Sequence, residues 1–512
     1  LIVIFKKKSK VMVKKILHYL VVGTLLITSA CKNTDLGPDN PTDGDGTAIV
    51  ANPFDSEFLW INGFAGNITL NQKTGRNLVT DAQNNIYVLA TYKGTVDANP
   101  GTGTANLTAT GNSSLMLAKY TQSGQYAWAV SIPIDMADNT PSLNIDGSGN
   151  LYVASAFTGT IQIAPGVSLS AGSVGINPTP ATVAVIAKYD NNGNYVSSIR
   201  YPNNDVQTDT DKGSSIMSTD IVTDASGNIY LGYNDITNKN SAAAQSPRHG
   251  IAKFSSAGVL AWKSAFGVGG TGNAGFRSDL NTMAIDKDGN LITSGNIFGY
   301  ASYAPVGASR NFDIETSFNN YYVAKMEASS GRFYWVKTYS FGSGGHLNKA
   351  YSLLTGADGS IYLAGSRDKD AIPQSSPVGT VNANTQHLIY KLSTTNGDVV
   401  WRKTIDAQTE NARNSLTMNA AGDLIASGTF NGQVNVGGAS PLTGTAKNNV
   451  YMAKYKSDGS YVSSRSLKGK TANDNVTSSF IVADKNGKID LLGGYNLSGG
   501  NNSIYLSQLA DQ

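Results

Sequence analysis

Arg367, Asp368, Lys369 and Asp370 place two cations and two carboxylates on four consecutive residues, and Asp205, Asp209, Asp211 and Lys212 form a second polar cluster in another long connection. Acid–base catalysis needs such groups to converge on a reacting atom, and a surface that reads a polar ligand needs them too. Neighbours along a loop do not converge by themselves, and solvated loops have the same composition. Arg367, Asp368, Lys369, Asp370, Asp205, Asp209 and Asp211 are therefore candidate binding residues, and no catalytic residue is assigned. Asp286-Lys287-Asp288-Gly289-Asn290 opens like a calcium loop but lacks the downstream acidic ligand, and Asp and Asn favour such turns by bonding their own backbone. His18, His249, His346 and His387 have no metal-ligand spacing, and no nucleophile elbow, zinc motif or phosphate loop is present, so neither metal nor cofactor is expected.

The elements that must position these loops form an internal repeat. Counting the residue that ends the first strand of each unit gives Asp81, Asp146, Asp224, Asp286, Gly356, Asn419 and Asp484, and each is followed five residues later by Ile or Leu, from Ile86 to Ile489. A third strand recurs as Ala118-Lys119-Tyr120, Ala187-Lys188-Tyr189, Ala252-Lys253-Phe254 and Ala453-Lys454-Tyr455. A fourth carries Trp128, Trp262, Trp335 and Trp401, with Tyr195-Val196-Ser197 and Tyr461-Val462-Ser463 in the second and sixth units. Seven supersecondary units in one phase predict a ring or array, and apolar/polar alternation within the runs predicts half-buried strands. The seventh unit lacks a fourth strand, and the one remaining tryptophan, Trp60, precedes the first unit in Phe58-Leu59-Trp60-Ile61-Asn62-Gly63. The expected fold is all-β: a seven-bladed β-propeller of four-stranded antiparallel blades, with the N-terminal strand carrying Trp60 closing the last blade and shielding its edge.

The phrase Tyr92-Lys93-Gly94-Thr95-Val96-Asp97-Ala98-Asn99-Pro100-Gly101, with the Ala-Lys-Tyr and Trp strands, resembles the bacterial seven-bladed propeller (SBBP) repeat. Related wording stands at Phe157-Thr158-Gly159-Thr160-Ile161 and Phe430-Asn431-Gly432-Gln433-Val434, and loosely at Phe298-Gly299-Tyr300; the third, fifth and seventh units depart from it. The resemblance covers residues 57–512 and implies a rigid binding or scaffold module, with no catalytic residue to carry over.

The first thirty residues hold six lysines, no acid, and an apolar run from Ile16 to Ile27 that ends in Thr28-Ser29-Ala30-Cys31. From Met12 this reads as a secretory signal, with residues 1–11 as an upstream extension, and the apolar run is short for a membrane span. Cys31 is the only cysteine, so no disulfide can form within the chain, and its place behind small residues predicts lipidation and cleavage. Residues 31–56, rich in Asp, Gly, Pro, Asn and Thr, are expected to be a flexible tether, and residues 57–512 the propeller. Without the signal, 33 basic residues face 36 acidic ones, which removes the simplest argument for nucleic acid.

Short, uniform turns join first to second and third to fourth strands. The second-to-third links, such as Gln162 to Thr182, Asn234 to Gly250 and Arg367 to His387, vary in length and wording, as does the interblade segment Tyr201 to Gly213. Variation on one face is what a ligand-reading surface requires. The sequence thus predicts an outer-membrane, surface-facing lipoprotein that binds an envelope protein complex or a glycan without catalysis. An alternative is a propeller enzyme acting on glycans as a lyase or hydrolase.

Overall fold

The computed structural model describes residues 58–64, 66–70, 76–134, 140–174, 179–202, 215–235, 248–267, 277–303, 312–339, 349–368, 385–409, 413–496 and 503–511. Their strands form the seven blades of a β-propeller, each an antiparallel sheet of four strands. In blade 1 the first strand comes in two pieces, Asn67–Thr69 and Leu78–Thr80, that both pair with Ile86–Lys93, followed outward by Ser114–Tyr120 and Tyr126–Ile132. Blades 3 and 4 also touch edge to edge through one pair, Gly267 with Ser302. Blade 7 runs Asn475–Ala483, Lys488–Asn496, Ser503–Ala510, and its fourth strand is Trp60–Phe64, in register from Trp60 opposite Gln508 to Phe64 opposite Ile504. The N-terminal strand therefore closes the ring and covers an edge that would otherwise be open to pairing.

Burial differs between strands in a way that alternation does not anticipate. Second and third strands such as Leu151–Thr158 and Thr182–Tyr189 are buried almost throughout, whereas fourth strands such as Tyr126–Ile132 are partly exposed. Neighbouring blades cover both faces of the middle strands, so those strands read as continuous apolar runs. Only the outermost strand keeps a wet side.

The repeated residues build one polar network along the side that carries the short turns, called here the lower rim. Asp81 Oδ1 accepts from the Gln83 and Asn85 backbone N–H groups at 2.9 and 2.8 Å, and Oδ2 accepts from Asn85 Nδ2 at 2.8 Å and the Tyr87 hydroxyl at 3.0 Å. Asp146 and Asp224 repeat this set. Burial works against each carboxylate, but the bonds from Asn, Tyr and backbone outweigh it and hold all three below the ordinary Asp pKa. The recurring lysine lies over the tyrosine ring, Lys119 Nζ being 5.1 Å from the Tyr87 centroid and 3.1 Å from the Asn191 carbonyl of the next blade. Lys253 and Lys391 do the same with Ala328 and Ser457. The lysine is thus an interblade clamp, and not merely a packed stem with its charge in water.

Each tryptophan locks onto the following blade. Trp60 Nε1 donates to the Gln122 carbonyl at 3.0 Å, Trp128 to Asn191 at 3.2 Å, Trp262 to Ala328 at 3.1 Å, Trp335 to Thr394 at 3.0 Å and Trp401 to Ser457 at 3.1 Å. Its ring lies on the glycine of that blade's third-to-fourth turn: at Gly124, with φ +79°, a Cβ would fall 2.7 Å from Trp60. No side chain fits there, which explains a glycine in every such turn. The two units without tryptophan follow from the same geometry. In blade 2, Ile199 takes the role against Gly258. Blade 6 faces blade 7, whose third and fourth strands are not joined by a turn, so there is no glycine to cover; Arg465 Nη2 instead bonds the Ala510 carbonyl at 2.5 Å.

The phrase that carries the repeat resemblance is structural as well. Gly94, Gly159 and Gly432 have φ of +67°, +67° and +66°, a left-handed break after the second strand that starts a small hairpin: Thr95–Asp97 with Asn106–Thr108, Thr160–Ala164 with Val167–Ser170, and Gln433–Val434 with Leu442–Thr443. In blades 1 and 6 the hairpin is pinned to the blade by the third-strand tyrosine, Tyr120 donating to the Ala98 carbonyl at 2.8 Å and Tyr455 to Val436 at 2.7 Å.

Candidate functional site

The seven first strands surround an axial cavity of about 430 Å³, with wall residues from every blade. Four residues before the turn residue they carry Asn77, Ser142, Asp220, Thr282, Ser352, Ser415 and Phe480, six polar groups and one aromatic. Five of the polar groups tie blades together: Ser352 Oγ accepts from Leu416 N at 3.2 Å, Ser415 Oγ from Ile481 N at 3.4 Å, and Asp220 Oδ2 from Met283 N at 2.8 Å and Thr282 Oγ1 at 3.3 Å, while Ser142 Oγ donates to Asp220 Oδ1 at 2.7 Å. The strands of blades 3, 4, 5 and 7 each carry a bulge just above this tier, at Ser218/Asp220, Leu280/Thr282, Ala350/Ser352 and Ser478/Phe480. Such an extra residue re-aims side chains at the mouth.

Two arginines interrupt the tier. Arg76 bonds the Met283 carbonyl through Nη2, which also lies 3.8 Å from the fully buried Asp220 carboxylate. Arg413 is 3% exposed although it lines the cavity. Its guanidinium carbon lies 4.0 Å from the Phe480 ring centroid and 5.8 Å from that of Tyr351, and Nη2 donates to the Tyr351 carbonyl at 3.4 Å. Burial pulls its pKa down to about 10, with Tyr351 and Asp220 opposing the shift. The guanidinium stays charged at neutral pH.

The residues singled out from sequence lie elsewhere. Arg367 sits near the end of the second strand of blade 5, where Nε donates to Gln386 Oε1 at 2.7 Å and Gln386 Nε2 in turn donates to Asp406, a polar chain across three strands. Asp368 pairs with Thr385 in the same sheet. Lys369, Asp370, Asp205, Asp209, Asp211, Lys212 and Cys31 lie outside the described residues. The Asp286 carboxylate is taken by its own turn and by Lys325 at 2.8 Å. His249 and His387 are buried between blades, paired with Tyr322 at 3.0 Å and Tyr451 at 2.9 Å.

Arg76, Asp220 and Arg413 are not among the sequence-predicted residues, because the variable loops and not the strands point to a ligand surface. Departure from the repeat within the first strands finds them: Arg76 stands five residues before Asp81 and Arg413 six before Asn419, in a stretch otherwise rich in Ser, Thr and Asn.

No protein-family model matches the chain. Over 118 residues it is 30% identical to an uncharacterized WD repeat-containing protein of Acanthamoeba polyphaga mimivirus, a match to 20% of this chain and 8% of that protein. Among solved structures, a PL25 ulvan lyase aligns over 88% of this chain and 96% of its own at 10% identity, with a TM-score of 0.49. A protein of unknown function from Dyadobacter fermentans aligns over 89% and 99% at 11% identity and a TM-score of 0.40. The propeller domain of the Trilobed protease from Pyrococcus furiosus aligns over 86% and 99% at 9% identity and a TM-score of 0.36. The architecture itself rests on the blades described above.

Proposed function

We propose that this chain is a non-catalytic binding or scaffold module of the cell envelope, built from SBBP-type repeats and anchored by a lipid on Cys31. It takes a protein partner or glycan on the side opposite the lower rim. The observation that carries the reading is the contrast between the two ends of the same strands. Lower turns reuse one set of bonds in blades 1, 2 and 3, while the upper ends of the first strands diverge into Arg76, Tyr351 and Arg413 around an open cavity. A rigid frame with divergent residues at one end suits recognition, because little has to be ordered on binding.

The test is capture from the native envelope by the immobilised full-length chain. Neutralising Arg367, Asp368, Lys369 and Asp370 is expected to weaken capture, and changing Lys287 and Asp288 in a lower turn to leave it intact. Capture carried by the lower turns, or by the tether from Lys32 to Asn52, would overturn the face assignment. Mass spectrometry of the natively processed chain is expected to find Cys31 as a lipid-modified N-terminus; an unmodified Cys31 would remove the anchor.

A further inference from the structure

We propose that the axial cavity is a binding site for a small carboxylate-bearing molecule of about the size of an acidic monosaccharide, with Arg413 and Arg76 as its cationic wall. The proposal deepens the binding reading above and rests on it for its biological meaning.

The first argument is space. A volume of about 430 Å³ lies within the range of small-molecule sites, roughly 300–1,000 Å³. The second is the chemistry of the wall. Two guanidiniums from blades 1 and 6 reach the same cavity beside hydroxyls and two aromatic rings. Guanidinium is the side chain best matched to a planar carboxylate, because parallel N–H groups meet its two oxygens. Arg76 Nη2 lies 3.8 Å from the buried Asp220 carboxylate and bonds the Met283 carbonyl.

The third argument is position. Arg413 is stacked on Phe480, the one aromatic in a tier of polar residues, and is held from the other side by the Tyr351 carbonyl and ring. Fixing a guanidinium between two blades in this way orients its fork before any ligand arrives and lowers the ordering cost of binding. At the same level the contacts of blade 6 with blades 5 and 7 are already made by small hydroxyls, Ser352 accepting from Leu416 N and Ser415 from Ile481 N. Burial disfavours the charge, and an incoming carboxylate would offset that cost.

The experiment uses the full-length chain and titrates glucuronate, glucose and inorganic phosphate by isothermal calorimetry, with salt varied. Glucuronate is expected to bind with an affinity that falls as salt rises, glucose not to bind, and phosphate to compete weakly if at all. Arg413→Lys keeps the charge but loses the fork, and is expected to weaken glucuronate about tenfold or more. Because a buried arginine can be needed for folding, a second variant fills the cavity and leaves both arginines in place. Leu354→Trp, on the cavity wall, is expected to abolish glucuronate binding with the melting temperature preserved. No glucuronate binding, equal binding of glucose, or undiminished binding by Leu354→Trp would overturn the proposal. Phosphate binding with no response to glucuronate would make the cavity an inorganic-anion site and also overturn it. Envelope capture that persists in Leu354→Trp but fails on neutralising residues 367–370 would leave the binding module standing and remove only the axial site.

Discussion

The lower rim and the axial cavity are built by the same seven strands, yet they follow opposite rules. At the rim, Asp, Asn, Tyr, Lys and Trp recur with nearly the same distances from blade to blade, and each group is used up by a turn or a neighbouring blade. At the upper ends of the first strands the tier changes from Asn77 to Asp220 to Phe480, and two arginines line the cavity while held by the Met283 and Tyr351 carbonyls. Residues that recur from blade to blade join neighbouring blades, and some residues found in one blade do so too, as Ile199 does against Gly258 and Arg465 at Ala510. Arg76 and Arg413 differ from the rim groups in lining the cavity as well.

The contrast is broken most severely at the closing joint. Trp60→Ala removes an indole that bonds Gln122 and covers Gly124 of blade 1, on the strand that no peptide link joins to the third strand of its own blade. A loss of about 3–4 kcal/mol is expected, by analogy with other packed aromatics. Thermal unfolding checks this, and an unchanged melting temperature would mean that Trp60 does not hold the ring shut.

Blade 7 also departs from the rim network in a way that reverses its response to pH. Asp490 stands where blades 1, 2, 3 and 5 have Tyr87, Tyr152, Tyr230 and Tyr362, and Gln508 where they have lysine. Burial, helped by Asp484, pushes the Asp490 pKa up to about 7 against the bond from Gln508 Nε2 at 2.9 Å, and Oδ2 has no hydrogen-bond partner among the described residues. In the unfolded chain the same group titrates near 4. Its folded pKa is the higher one, so the native state favours the protonated acid: this contribution is full below pH ~4 and is lost as pH rises through about 7. Asp490→Asn is therefore expected to raise stability at pH 8 by up to roughly 4 kcal/mol and to have little effect at pH 4. Denaturant melts at the two pH values measure this; a variant less stable than wild type at pH 8 would show that the charged form is the favoured one.

The ordinary blades should behave in the opposite sense. Asp224 is held below the usual carboxylate range, so its contribution is present above pH ~4 and lost as pH falls through its folded pKa. Asp224→Ala is expected to cost about 1–2 kcal/mol at pH 7, because the Asn228 and Tyr230 groups lose their acceptor, and to cost less as pH falls toward 2. Urea melts across that range would show the two curves converging; parallel curves would contradict the assignment.

Much of this was legible in the sequence because a ring repeats its solutions. The seven phased units, the tryptophans and the N-terminal strand of blade 7 needed only spacing to be found. The continuous burial of middle strands was not legible, since alternation describes a single sheet with one wet face and a blade lies between two others. The role of the Tyr92–Gly101 phrase was also hidden: only three dimensions show that its hairpin folds back onto its own blade. The axial arginines were within reach, but their meaning depends on knowing that strands from blades 1 and 6 share one cavity, a contact between residues more than three hundred positions apart.

If the rim holds the ring and the axis takes the ligand as proposed, hydroxyl-radical footprinting of the full-length chain with and without saturating glucuronate, read residue by residue by mass spectrometry, will show it. Protection is expected at Tyr351, Met418 and Phe480, around the cavity, with no change at Tyr334 or Trp262 on the outer strands. Unchanged oxidation around the cavity, or protection appearing on the outer strands instead, would contradict it.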